Sequence, residues 1–147
     1  MQKNKILSSD FRLLVPIQVR FRDTDAMGHV NNAVYLSYLE LARIQYWRAI
    51  SGGWDYSKVS FILARVEIDY KIPVKLTDQV SVGIRMSRIG GASFDYDYAV
   101  FIGEPLRSAT LAKTTQVMYD YASAKPMRMP QEYREKITKF EANDAKQ

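Results

Sequence analysis

The sequence predicts an α+β domain in which one antiparallel sheet of five strands wraps around one long central helix. Three observations carry this. Residues 12–22 alternate apolar and polar side chains, the period of a strand. Residues 32–53 have helical length and are apolar on nearly every side. Four more strand-like segments then follow, separated by turn residues. A single helix cannot cover both faces of such a sheet, so the sheet has to curl around it.

Each element has its own signal. In RLLVPIQVRFR, Ile17, Val19 and Phe21 fall on one face and Gln18, Arg20 and Arg22 on the other, with Pro16 suited to an edge strand. In NAVYLSYLELARIQYWRAISGG, Tyr35, Leu39, Ala42, Tyr46, Ala49 and Ile50 recur at helical spacing, and Gly52 and Gly53 suit a C-terminal cap. The small Ala42 and Ala49 allow close approach to a sheet. Leu36, Leu41, Ile44 and Trp47 widen the apolar surface, which predicts a helix buried on most sides. The strands are FILARVEIDYKIPV, DQVSVGIRMS, SFDYDYAVFI and RSATLAKTTQVMYDY. Val80, Val82, Ile84 and Met86 share one face of the second, and Phe94, Tyr96, Tyr98, Val100 and Ile102 one face of the third. Gly90 and Gly91, then the GEP of residues 103–105, supply turns between antiparallel neighbours. The segment PQEYREKITKFEA places Pro130 where a helix can start and reads as a polar C-terminal helix or a frayed tail.

Composition narrows the function. A chain of 147 residues without linker, repeat or low-complexity stretch is one domain, residues 1–147. Cysteine is absent, which excludes disulfides, thiolate metal sites and cysteine nucleophiles and fits a reducing cytoplasm. The opening residues lack the apolar stretch of a secretory signal. No stretch approaches the ~20 apolar residues of a membrane span. The net charge of +5 is spread along the chain, with no basic stripe interleaved with aromatics for nucleic acid. There is no G-x-S-x-G elbow, no phosphate loop and no dinucleotide fingerprint, and the single histidine leaves no metal-ligand cluster. The length and apolarity of the strands predict a homodimer, with further association.

The polar residues concentrate at the strand-to-helix junction, RDTDAMGHVNN. Extending the alternation past Phe21 puts Asp23 and Asp25 on the buried face. A buried carboxylate needs either backbone N–H donors or a role as a base. Each residue here also has an ordinary structural use: the aspartates in an Asx turn, Gly28 at a positive φ, Asn31 or Asn32 as an N-cap, His29 as a hydrogen-bonded loop residue and Tyr35 in the core. The first N–H groups of a helix lack intrahelical partners and carry partial positive charge. A carboxylate beside such a helix start suits hydrolysis or transfer at a carbonyl.

The segment FRDTDAMGHVNNAVYLSYLELAR resembles the signature of the hotdog-fold acyl-CoA thioesterases of the 4-hydroxybenzoyl-CoA thioesterase type. That pattern is Asp-x-Asp-x-x-Gly followed by the central helix, and the similarity continues through VEIDYKIPVKLTDQVSV and RIGGASFDYDY. The resemblance implies a hotdog fold, no cofactor, and hydrolysis of an acyl-CoA to a carboxylic acid and coenzyme A. It implies that Asp25 is the catalytic carboxylate, as nucleophile or as base for water. The backbone N–H at Asn32 then polarises the thioester carbonyl, and His29 in the GHVNN variant orients substrate or water. It further implies substrate contacts at Gly28 and Tyr35, and contacts of Arg88 and Ser93 with the pantetheine and phosphates across a homodimer that pairs into a tetramer. Rival readings on the same fold are an acyl-CoA-binding protein without turnover, an acyl-carrier-protein thioesterase, and a hydroxyacyl-thioester dehydratase relying on His29.

Overall fold

The alternating segment enters the sheet as β1 (Leu13–Ile17), with Val15 and Ile17 buried. The structure is a computed structural model that describes residues 5–52 and 60–142. Beyond β1 the predicted alternation breaks down. Val19 is still buried, but Phe21–Asp23 is a turn of 3-10 helix, closed by bonds from Asp23 N–H to Arg20 O (2.9 Å) and Thr24 N–H to Phe21 O (3.1 Å). A period of three replaces a period of two. Phe21 therefore turns outward, Asp23 is buried, and Asp25 lies exposed on the next turn rather than inward.

The helix starts as predicted, in two stages. Asn31 is the cap: its Oδ1 accepts from the Ala33 N–H, and a 3-10 turn Asn32–Val34 leads into α1 (Tyr35–Ser51). Gly52 ends it at φ 72°, a left-handed cap that glycine adopts without steric cost. Gly53, the other half of the predicted cap, lies outside the described residues. Tyr35, Tyr38, Leu39, Ala42, Tyr46 and Trp47 form the buried stripe. Ala49 is exposed, not packed on the sheet, because the stripe drifts toward Trp47 in the last turns. Leu36 and Leu41 are also exposed, so one chain alone buries the helix on fewer sides than expected. Arg43, a polar position in the sequence, is buried and donates to the Tyr98 hydroxyl at 3.1 Å.

The remaining strands are β2 (Phe61–Tyr70), β3 (Val80–Ile89), β4 (Ser93–Ile102) and β5 (Arg107–Asp120), with a two-residue strand β6 (Lys125–Pro126) that the sequence reading did not anticipate. They run antiparallel in the order β1-β3-β4-β5-β2, and β6 extends β5. The β3–β4 and β4–β5 hairpins are those marked by the glycine turns. Val82, Ile84, Phe94, Tyr96, Tyr98, Val100 and Ile102 face α1 in one core. A small second core sits on the outer face, where Phe11 from the N-terminal segment packs against Ala99 and Phe101. Gly83 makes room for it, since a Cβ there would lie 2.6 Å from Phe11 Cγ.

The C-terminal segment is a helix, α2 (Gln131–Ala142). Its Ile137 is buried, Tyr133 meets Trp47 edge-on at 5.5 Å and Phe140 meets Tyr46 at 5.4 Å. Glu141 Oε1 accepts from the Tyr46 hydroxyl (2.6 Å) and from the Met86 N–H (2.9 Å), beside the irregularity between Met86 and Arg88 in β3. No helix among the described residues is long and apolar enough to cross a membrane.

Candidate active site

Residues 24–30 fold back on themselves as a small hairpin. Thr24 pairs with Val30, and the Asp25 N–H donates to His29 O at 2.7 Å. Gly28, at φ 77°, lets the chain turn and donates to Asp25 O at 3.0 Å. Asp25 closes its own turn: Oδ1 accepts from the N–H groups of Met27 (2.9 Å) and His29 (3.2 Å). Its Oδ2 has no hydrogen-bond partner among the described residues. One carboxylate thus holds the loop with one oxygen and presents the other.

The hairpin is fixed against the segment after β2. Val30 N–H donates to Val74 O at 2.7 Å, and His29 bridges to Lys75. Lys71 and Ile72 each donate an N–H to Ala109 O at 2.9 Å. Tyr70 stacks edge-on against Tyr35 with ring centroids 5.0 Å apart, and its hydroxyl donates to Asn32 O at 2.8 Å. Asp25, His29, Asn32, Tyr35, Tyr70 and Ile72 line one cleft of about 240 Å³. Of the predicted residues, Asp25, His29, Asn32 and Tyr35 are brought together there, with Gly28 shaping the turn. The Asn32 N–H, at the first position of the helical start, has no partner among the described residues. A carboxylate with a free oxygen and a helix-start residue with an unpaired N–H, both lining one cleft, are groups that can act on a carbonyl.

Arg88 and Ser93 meet each other elsewhere, at the β3–β4 turn, and do not line this cleft. Arg88 Nη2 donates to Ser93 Oγ at 2.9 Å, while Nε and Nη2 grip both oxygens of Asp95 at 2.8 and 3.1 Å. That grip, together with the Thr115 hydroxyl at 2.7 Å, holds the Asp95 carboxyl below the usual carboxylate range despite its burial.

One part of the site escaped the sequence reading. Tyr70 to Pro73 form one wall of the cleft, and the only local signal is the KIP that follows the strand. Asp23, by contrast, is buried as the alternation predicts, at 2% exposure. Burial alone would raise its carboxyl. Bonds from the Arg20 N–H (2.9 Å), the Tyr38 hydroxyl (2.8 Å) and the Arg20 guanidinium (3.1 Å) outweigh that and hold it below the ordinary value of 3.8.

A curled antiparallel sheet on one long helix, with this carboxylate turn at the helix start, is the hotdog fold. The chain belongs to the thioesterase-like superfamily, whose sequence model matches residues 19–137. Among curated proteins it is 29% identical over 121 residues to the acyl-CoA thioesterase YbgC of Haemophilus influenzae, covering 80% of this chain and 88% of that protein. It is 26% identical to the long-chain acyl-CoA thioesterase FadM of Escherichia coli, covering 82% and 93%. Among solved structures, a thioesterase from Thermus thermophilus complexed with coenzyme A and Zn superposes with a TM-score of 0.81 at 39% identity, covering 90% of this chain and 96% of that one.

Proposed function

We propose that this chain hydrolyses an acyl-CoA thioester to a free carboxylic acid and coenzyme A, with Asp25 as the catalytic carboxylate and the Asn32 N–H as the oxyanion donor. The observation that carries this is that Asp25, with one carboxylate oxygen unbonded, and Asn32, with its N–H unpaired among the described residues, line one cleft of a thioesterase-superfamily domain. The substrate carbonyl oxygen accepts from the Asn32 N–H, and negative charge that builds on it in the tetrahedral state sits at the positive end of the helix. Asp25 Oδ2 acts in one of two ways. As a base, it takes a proton from water while the hydroxide oxygen bonds to the carbonyl carbon. The carbon–sulfur bond then breaks, and the thiolate takes the proton back. As a nucleophile, it bonds to the carbonyl carbon, thiolate leaves and is protonated by water, and a second water cleaves the resulting anhydride. His29 orients the water or the acyl group, and Tyr35 with Tyr70 forms the apolar wall beside the carbonyl.

Thiol release from a panel of acyl-CoAs tests this directly, because a protein without cysteine adds no thiol of its own. Asp25→Asn should lower kcat by about 100- to 10,000-fold on the best substrate. Full retention of rate would sink the assignment. Coenzyme A binding without turnover across the panel would favour a binding protein, and water addition to an enoyl-CoA a dehydratase. Acyl-carrier-protein substrates run beside the CoA panel separate the two carriers.

The working molecule is a homodimer that pairs into a tetramer, in the cytoplasm. Two features support assembly. The cleft of one chain is smaller than the ~300–1,000 Å³ typical of ligand pockets. The terminal strand of the sheet, β2, leaves Ile62 and Leu63 exposed. Arg88 and Ser93, distant from the cleft in sequence and structure, then contact the coenzyme A portion bound at the other protomer's cleft. Sedimentation equilibrium measures the assembly, and a monomer with full activity would overturn it.

A further inference from the structure

We infer that Asp23 is the positioning residue of this site, the group that aims the Asn32 N–H and seats the turn carrying Asp25. The inference rests on the reading of Asn32 as oxyanion donor. Asp23 does not line the cleft, and its carboxylate already receives three bonds, so it is not the group that handles substrate protons. Its contacts run to both sides of Asn32. On one side its carbonyl oxygen accepts the Asn31 N–H at 2.8 Å. The next peptide plane, between Asn31 and Asn32, carries the N–H in question and is held at its other edge by Val34 N–H on Asn31 O at 2.9 Å. On the other side the Asp23 carboxylate accepts the hydroxyl of Tyr38, in the first turn of α1. The Asp25 hairpin opens directly after it, at the Thr24–Val30 pair.

Such an anchor has a physical reason. An oxyanion donor acts only where it meets the charge as it forms, and a displacement of about 1 Å costs on the order of 100-fold in rate. The Asn32 peptide sits where a 3-10 turn becomes an α-helix, and ends of helices fray. Burying a carboxylate is unfavourable unless its bonds are complete, so a fully bonded Asp23 locks strand exit, hairpin and helix start in a single arrangement.

The test uses Tyr38→Phe, which removes one donor to Asp23 and keeps the buried ring, alongside Asp23→Asn, wild type and Asp25→Asn. Two quantities are read: steady-state kinetics on the best acyl-CoA, and amide hydrogen exchange at Asn31 by NMR. Positioning predicts that Tyr38→Phe lowers kcat about tenfold with KM within about twofold and exchanges the Asn31 amide about tenfold faster, for the loss of one bond of ordinary strength. Asp23→Asn, where it folds, should lower kcat further. Wild-type kcat in Tyr38→Phe overturns the inference. So does a fall in kcat together with a lowered melting temperature while exchange at Asn31 is unchanged, which is the mark of a merely structural group. A wild-type chain without thioester hydrolysis, or an active Asp25→Asn, overturns the reading of the site instead, and exchange at Asn31 then decides the Asp23 anchor by itself.

Discussion

At the scale of the residue, Asp25 divides its labour between two oxygens. Oδ1 satisfies the N–H groups of Met27 and His29, and Oδ2 is left over for chemistry. The turn asks only for an acceptor, and an amide oxygen is one. Asp25→Asn should therefore lower kcat by about 100- to 10,000-fold while changing stability by less than about 0.5 kcal/mol. Asp25→Ala should abolish hydrolysis and also lose about 1 kcal/mol, because two N–H groups exchange a protein acceptor for water. Urea denaturation of the two variants makes the comparison, and equal stability would show that Oδ1 does not hold the turn. The residue scale is also where the sequence was hardest to read. Both aspartates were legible as a pair, and the helix start beside them was legible from the asparagines. Which one is buried was not. Alternation extended past Phe21 sends both inward, but the 3-10 turn Phe21–Asp23 shifts the phase. The turn has a local brace, the Asp23 carboxylate on Arg20 three residues back, but its third bond comes from Tyr38, 15 residues away, which no local pattern announces.

Elements were more legible than residues because their signals repeat. The inward faces of β3 and β4 are those given by the alternation, Val82 and Ile84 on one and Phe94 through Ile102 on the other. The cap at Gly52 and the hairpin turns at Gly90 with Gly91 and at Gly103 followed from the glycines themselves. Pairings between distant segments carry no such local signal. The wall formed by Tyr70 to Pro73 exists because β2 is the neighbour of β5 and delivers its end beside the helix start. Gly83 is a similar case. It reads as an ordinary strand residue, but its missing side chain is the seat for Phe11 from another part of the chain. Gly83→Ala would bring a Cβ to 2.6 and 2.7 Å from two Phe11 ring carbons and 3.1 Å from Phe101. Overpacking of this kind costs about 1–3 kcal/mol, which thermal denaturation resolves. Activity measured well below the transition should stay near wild type, because the strain lies on the face of the sheet opposite α1.

For the molecule as a whole, the core is unusually phenolic. Tyr35, Tyr38, Tyr46, Tyr96 and Tyr98 are all buried, and burial raises each above the ordinary tyrosine value of 10.0. For Tyr46 the Glu141 carboxylate adds to the effect. The folded state therefore favours the neutral phenol more strongly than the unfolded chain does. Their contribution is complete below pH 10.0 and is lost progressively as pH rises from there toward the raised folded values. Asp23 and Asp95 act at the other end. Both are depressed below 3.8, so their contribution is present above that value and is lost as pH falls through the lower folded values. Denaturation midpoints followed across pH should show a plateau with a shoulder on each side. An alkaline arm that stays flat to pH values well above 10.0 would contradict the tyrosine assignment.

The small outer core has a consequence for the order in which the molecule is made. Phe11 leaves the ribosome early, yet its seat is built from Gly83, Ala99 and Phe101, which emerge some way behind it. The seat does not exist until β3 and β4 have paired. The N-terminal segment is therefore expected to dock on the downhill side of the folding barrier. Phe11→Ala should then speed unfolding while leaving the folding rate close to wild type. Stopped-flow folding and unfolding in urea would show it as a shift of the unfolding arm alone. That outcome would make the segment a latch, closed last and opened first, which sets how long a folded molecule persists more than how fast it forms.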